Sequence, residues 1–350
     1  MAKGSRWVRW SFLGLLVPLA TGIAAWQGWA WWSWANHPVS ASAAETSPQT
    51  VQIQIPPGTP GQQIGQDLEA AGLIRSALAW RLWSRWQNPA GGFQAGTYAL
   101  SPSDPMTAIA EIIRSGQVVQ TSFTIPEGWN LRQMAAYFEQ AGFFSADAFL
   151  AAAAQVPRDR YPWLPEGIPH LEGFLFPDTY QLPAEGVTPE AAVDIMLRRF
   201  EAIALPVYQQ ANTDYTVLEW ATLASIIEKE AVVPEERGLI AGVFTNRLEQ
   251  DIPLGADPTV EYGLGITQTK EQPLTWAQVA IPSPYNTYIN LGLTPTPIAS
   301  AGLASLEAAL APEPTDYLFF VARYDGTHVF SRTLAEHEAA RDAIRATIDN

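Results

Sequence analysis

Ile55-Pro56-Pro57-Gly58, followed by Leu68-Glu69-Ala70-Ala71-Gly72, returns 70 positions later as Ile125-Pro126-Glu127-Gly128, followed by Phe138-Glu139-Gln140-Ala141-Gly142. In each copy residues alternate into the motif (Val51, Ile53, Ile55; Ser122-Phe123-Thr124-Ile125), a Pro-Gly turn follows, and an amphipathic stretch ends at glycine. That order reads as strand, turn and helix. The repeat is first a structural duplication and only second a repeated binding site. A second helix over 77–86, a strand at Gly96-Thr97-Tyr98-Ala99-Leu100 and a helix over 105–115 complete the first unit. The class is α+β.

Downstream, from about Leu171, aromatic-proline loops alternate with strong helices, the pattern of a site-bearing domain. Helices are expected over 189–204, 218–231 and 234–250, the last with Pro234 in its first turn and Glu235 and Glu236 complementing the dipole. Residues 251–300 read as a loop-rich stretch, followed by a helix over 303–310, strands over 317–322 and 328–331, and a final helix to Ile348.

Upstream, residues 11–34 (SFLGLLVPLATGIAAWQGWAWWSW) carry no charge over 24 positions. That is enough helix to cross the roughly 30 Å hydrocarbon layer. Lys3, Arg6 and Arg9 precede the stretch and no Lys or Arg follows until Arg75, so the expectation is a transmembrane helix with residues 1–10 cytoplasmic. Trp26, Trp29, Trp31, Trp32 and Trp34 form an aromatic belt at its exit. A cleaved signal peptide is the competing reading, with Ala41-Ser42-Ala43 as the cleavage site, but cleavage there would discard that belt. Residues 35–50, rich in Ala, Ser and Pro, read as a linker. Everything beyond is expected on the far, extracytoplasmic side of the membrane.

Composition narrows the chemistry. With 47% apolar and 16% charged residues over 350 positions, the chain can bury a large core. Its net charge of −15 would repel a phosphate backbone, so nucleic acid is not an expected partner. The absence of cysteine excludes thiol nucleophiles and Cys-based metal sites, and the four scattered histidines form no HExxH helix. No metal and no cofactor is expected. Nucleophile elbows, Walker loops and dinucleotide glycine motifs are absent too.

Carboxylates remain. In Trp220-Ala221-Thr222-Leu223-Ala224-Ser225-Ile226-Ile227-Glu228-Lys229-Glu230-Ala231, helical spacing puts Leu223, Ile226, Ile227 and Glu230 on one face. A carboxyl ending an apolar stripe loses hydration of its charged form and is suited to general acid catalysis. Glu228 lies roughly 200° around the helix and is the weaker candidate. Glu230 has a plainer alternative as a solvated last-turn residue or the partner of Arg237 or Arg247. Three other clusters stand out. Glu172 and Asp178 flank the aromatic loop Gly173-Phe174-Leu175-Phe176-Pro177, Asp257 opens an Asp-Pro turn, and Tyr285, Asn286 and Tyr288 follow rigid prolines. Aromatic faces stack on sugar rings while an amide reads an acetamido group, although each cluster also reads as packing or turn.

At these residues the chain resembles the endolytic murein transglycosylases, the MltG or YceG-like family. The likeness runs through Glu172 to Tyr180 (EGFLFPDTY), Leu223 to Ala231 (LASIIEKEA), Val243 to Leu248 (VFTNRL), Leu254 to Gly263 (LGADPTVEYG), Ser283 to Tyr288 (SPYNTY) and Tyr317 to Phe330. EKEA is also similar to the glutamate helix of lysozyme-like lytic transglycosylases, and that comparison falls on Glu230.

The resemblance implies a LysM-like module at residues 51–120, a YceG-like catalytic domain at 121–350, and internal cleavage of nascent peptidoglycan glycan strands between MurNAc and GlcNAc. It implies Glu230 as the catalytic residue, with Glu172, Asp178, Asn246, Asp257, Tyr285, Asn286 and Tyr288 as substrate-binding positions. Glycan strands are the implied partner, and cell-wall synthases a further one. One carboxyl serves twice, first as acid and then as base, to leave 1,6-anhydroMurNAc ends. An ordinary hydrolase would need a second carboxylate, with Asp257 or Glu172 as candidates. The alternative from another class is a non-catalytic peptidoglycan-binding scaffold for cell-wall synthesis enzymes.

Overall fold

The computed structural model describes residues 5–40, 50–87, 92–183, 187–269, 272–323 and 325–348, with side chains from Val17 onward. The chain divides into two compact units, residues 1–121 with 181–186, and residues 122–180 with 187–350.

The first unit holds α1 (Ser5–Asn36), β1 (Val51–Ile55), α2 (Gly61–Ala70), α3 (Ala77–Gln87), β2 (Gly96–Leu100) and α4 (Met106–Ser115). β1 and β2 pair antiparallel, with Val51 opposite Leu100 and Ile55 opposite Gly96. Ile64 and Leu68 from α2, Trp80 from α3, Tyr98 from β2 and Ile109 and Ile113 from α4 fill one core. Helix α2 approaches α3 closely because Gly65 has no side chain; a Cβ there would strike the Trp80 ring, whose indole N–H donates to Gly61 O at 2.8 Å. Among the described residues no helix is long and apolar enough to cross a membrane. Residues 1–4 of the expected cytoplasmic N-terminus, the side chains ahead of Val17 and most of the expected linker lie outside the described residues.

Residues 35–40, assigned by composition to that linker, are packed instead. Ala35 is fully buried, Asn36 Oδ1 accepts from Thr107 N–H at 3.1 Å in the first turn of α4, and Arg75 donates twice to Pro38 O.

The second unit follows from β3 (Gln120–Thr124) through α5 (Leu131–Gln140) and α6 (Ala146–Ala153) to β4 (Thr179–Pro183), which pairs with β3. Then come α7 (Pro189–Ile203), α8 (Leu205–Gln210), α9 (Val217–Glu230), a 3₁₀ turn at Pro234–Glu236, α10 (Arg237–Glu249), α11 (Asp257–Leu264), α12 (Trp276–Val279), α13 (Leu303–Leu310), the antiparallel pair β5 (Phe319–Ala322) and β6 (His328–Ser331), and α14 (Leu334–Ile348). Helices and small two-stranded sheets make a mixed α+β architecture.

The sequence repeat is a repeat of geometry. Gly58 and Gly128 occupy the left-handed region at φ +80° and +75°, and Gly72 and Gly142 do so at +69° and +76°. Past the second glycine pair the chain closes the same way, Leu73 N–H donating to Leu68 O at 2.9 Å and Phe143 N–H to Phe138 O at 3.0 Å. Both copies extend to strand, helix, helix, strand. The segment 251–300, expected to be loop-rich, is so, and also contains α11 and α12. These helices run eight and four residues, too short to show an apolar period.

Candidate active site

Helix α9 starts at a capping box in which Thr216 Oγ1 accepts from Glu219 N–H at 3.2 Å and Glu219 Oε2 accepts from Thr216 N–H at 2.8 Å. Trp220 through Ile227 are all buried, so the helix runs through the interior with apolar residues on every side. Trp220 Nε1 ties it to Leu306 O of α13 at 2.8 Å, and Ser225 Oγ accepts from Ile298 N–H at 3.0 Å. Its last residue is Glu230.

Glu230 retains some accessible surface although protein surrounds it closely. Burial pushes its pKa up to about 8; the charges of Asp257 and Glu261 from α11 push the same way, and Arg247 and Lys229 oppose them. Arg247 is a weak counterweight. Its Nε donates to Leu318 O at 2.5 Å and its Nη1 to Pro253 O and Leu254 O at 3.1 and 2.8 Å, so these bonds hold loops together and leave Glu230 without them.

The Asp-Pro turn and the Pro-Tyr loop are stitched to each other. Gly255 N–H donates to Thr287 O at 3.0 Å, Ala256 N–H to Thr287 Oγ1 at 3.0 Å, and the Thr259 and Thr287 hydroxyls lie 2.8 Å apart. This seam brings the Tyr288 hydroxyl to 2.6 Å from Asp257 Oδ1, to which it donates. Asn286 is an internal brace. It is fully buried, donates to Val279 O and Ile281 O at 2.7 and 2.9 Å, and accepts from Tyr288 N–H at 3.0 Å, so its amide is consumed inside the loop. Tyr285 braces too, its hydroxyl 2.9 Å from Thr296 Oγ1 and its ring 4.9 Å from that of Tyr262.

Other residues singled out from sequence hold the frame. Glu172 is 2% exposed; it accepts from Leu131 N–H at 3.0 Å and from the Tyr262 hydroxyl at 2.9 Å, and burial outweighs these bonds to push its pKa up to about 7. It anchors the start of α5 and faces protein on all sides. Asp178 pairs with Arg199 of α7 at 2.6 Å. Asn246 donates to Thr315 O and Tyr317 O at 2.8 and 3.0 Å, fixing the approach to β5. Glu228 accepts from Ser305 Oγ at 2.5 Å and Gly302 N–H at 3.3 Å, closing the N-terminus of α13. Beside it sits Glu127 of the second repeat copy, whose pKa is raised by burial first and by Glu228 second.

The structure thus brings Glu230, Asp257 and Tyr288 into one neighbourhood, where they are joined by Glu261 and Arg247. Sequence reading passed over Glu261 and weighed Arg247 only as a salt-bridge partner. The spacing of Asp257 and Glu261, one turn apart on α11, would have marked them once that helix was recognised. Among the described residues no group of three His, Cys, Asp or Glu is placed to hold a metal ion.

A carboxyl whose pKa is pushed up by burial and by two neighbouring carboxylates has the chemistry of a proton donor to a leaving oxygen. A profile of the YceG-like family matches residues 53–343. The protein named endolytic murein transglycosylase from Bacillus subtilis (strain 168) is 35% identical over 310 residues, covering 85% of this chain and 85% of its own length. Its namesake from Streptococcus pneumoniae serotype 2 is 33% identical over 329 residues, covering 83% of this chain and 59% of its own length. The crystal structure of a YceG-like protein from Listeria monocytogenes superposes with a TM-score of 0.55 at 33% identity, over 84% of this chain and 99% of that one. The chain belongs to the YceG-like family.

Proposed function

We propose that this chain is a lytic transglycosylase that cuts peptidoglycan glycan strands internally, with Glu230 as acid and then base. The Glu230 carboxyl gives its proton to the glycosidic oxygen as the bond from C1 of the muramic acid residue breaks. The C6 hydroxyl of that residue then closes on C1 and returns its proton to the Glu230 carboxylate, leaving a 1,6-anhydro end and the enzyme in its starting state. No water is consumed. The observation that carries this reading is the placement of the Glu230 carboxyl at the end of the buried helix α9, against α11 with its carboxylates Asp257 and Glu261, which with burial push its pKa up. A hydrolase would need a second carboxylate free to act, and Glu172 is committed to Leu131 and Tyr262. Mass spectrometry of products from purified strands tests this. Anhydro ends are expected, while reducing ends would identify a hydrolase and intact strands a scaffold.

The same proposal includes anchoring at the plasma membrane, with the N-terminus cytoplasmic. Supporting it are the basic residues Lys3, Arg6 and Arg9 before α1, and uncovered apolar side chains along α1 such as Leu19, Ile23, Trp26 and Trp29. The β1–α2–α3–β2 order with paired outer strands supports a LysM-like reading of the first module.

A further inference from the structure

We infer that Asp257, gripped by the Tyr288 hydroxyl at the start of α11, is a positioning residue that keeps the catalytic proton on Glu230 until substrate takes it. The inference rests on the reading of Glu230 as the acid.

The geometry comes first. α11 lies against α9, and from its first turn and the turn after it Asp257 and Glu261 send two carboxylates toward the end of α9, where Glu230 is the third. Asp257 is fixed from several directions. Its backbone follows the Ala256–Thr287 bond, Oδ1 accepts from Tyr288 at 2.6 Å, and Gln268 Nε2 approaches Oδ2 at 3.5 Å. An anion at the first position of a helix also suits the helix dipole. Positive charge is scarce. Arg247, from α10, spends its bonds on three carbonyls, and Lys229 on α9 is exposed, with its ammonium 3.5 Å from Gly128 O. Asp257, Glu261, Arg247, Lys229 and the Tyr288 phenol are the charged and titratable groups around Glu230, and the negative side prevails. Three neighbouring carboxylates cannot all ionise cheaply; Asp257 takes the Tyr288 hydroxyl and Glu261 takes Gln268, and Glu230, which no described residue donates to, keeps the proton. Glu261 is also raised, by burial first, and contributes through the same mutual repulsion.

The test is the pH dependence of kcat and kcat/KM on soluble glycan strands, using the full chain in detergent. A general acid loses activity as pH rises through its pKa. Asp257→Asn is expected to move that alkaline limb down by on the order of one pH unit, Glu261→Gln to move it down by less, and Asp257→Glu to restore it. Lys229→Gln removes a cation and is expected to move the limb up. Opposite displacements from opposite charges are something a merely structural role does not produce. Equal losses of activity with the limb unmoved in Asp257→Asn and Lys229→Gln would overturn the inference, and Lys229→Gln decides alone if Asp257→Asn fails to fold. Glu230→Gln separates the two levels. If it stays active the acid assignment itself falls; if it is inactive and the limbs do not move, only the role of Asp257 falls.

Discussion

Glu228 and Glu230 are two positions apart on α9, yet the first is bonded to Ser305 and Gly302 while no described residue donates to the second. The apolar stripe of Leu223, Ile226 and Ile227 points to Glu230 from sequence alone, but Ala221, Ala224 and Ser225 on the Glu228 side are buried as well. What distinguishes the two glutamates is therefore their partners, and those come from residues more than 70 positions away, beyond any local pattern. Glu230→Gln should lower turnover by about 10²–10⁴-fold while strand binding persists, as read by product mass spectrometry and a pull-down on insoluble strands. It should also stabilise the fold in a pH-dependent way. The unfolded glutamate releases its proton near 4.5 and the folded one near 8, so wild-type stability falls across that window by about 1.4 kcal/mol per pH unit at most. The thermal midpoint of Glu230→Gln should match wild type at pH 4, exceed it at pH 8, and diverge progressively between. Glu228→Gln should instead lose about 1 kcal/mol of stability at neutral pH in urea titrations, with kcat within a few-fold of wild type.

At the scale of elements, a cap alone did not make a helix legible. α5, α7 and α9 are capped by Asn130, Thr188 and Thr216, each accepting from a backbone N–H in the first turn, and could be read, whereas α6 and α12, capped by Ser145 and Thr275 but only eight and four residues long, could not. α11 has neither such a cap nor the length to show a period, and with it Glu261 went unread. The loop residues owe their roles to contacts of another kind. Asn286 and Glu172 have the chemistry of ligand-binding side chains, and only tertiary contacts reveal that the Val279 and Ile281 carbonyls and the Leu131 amide have already claimed them. Glu172 is accordingly a hinge pin for α5. Glu172→Ala strands a backbone N–H and the Tyr262 hydroxyl and should cost about 3 kcal/mol in chemical denaturation. Glu172→Gln keeps the shape and should cost less, and it should flatten the decline of wild-type stability between pH 4.5 and 7, where the folded carboxyl still holds its proton and the unfolded one does not.

For the whole molecule, the boundary of the first unit is set by contacts that composition hid. Chains beginning at Trp34 keep Ala35 in the core, the Asn36 bond to α4 and the Arg75 bonds to Pro38; chains beginning at Thr50 lose all three. The shorter chain should be less stable by about 2–4 kcal/mol in urea unfolding of the first unit. The mixed α+β class and the duplicated strand-turn-helix unit could be read from the sequence, the latter through glycines that take a positive φ at matching positions, whereas the second helix and closing strand of the second copy could not. The duplication has a consequence in chain statistics. In the first copy Ile55 meets Gly96, 41 positions on; in the second, Thr124 and Thr179 meet across 55, the difference being filled by the stretch that delivers Glu172 and Asp178. Closure entropy grows only with the logarithm of loop length, so the longer excursion costs about 0.3 kcal/mol more. A duplicated fold is thus a cheap place for new sequence to lodge: one copy can stay closed while its twin opens to take in an insertion, at a thermodynamic cost smaller than that of losing a single buried methyl group.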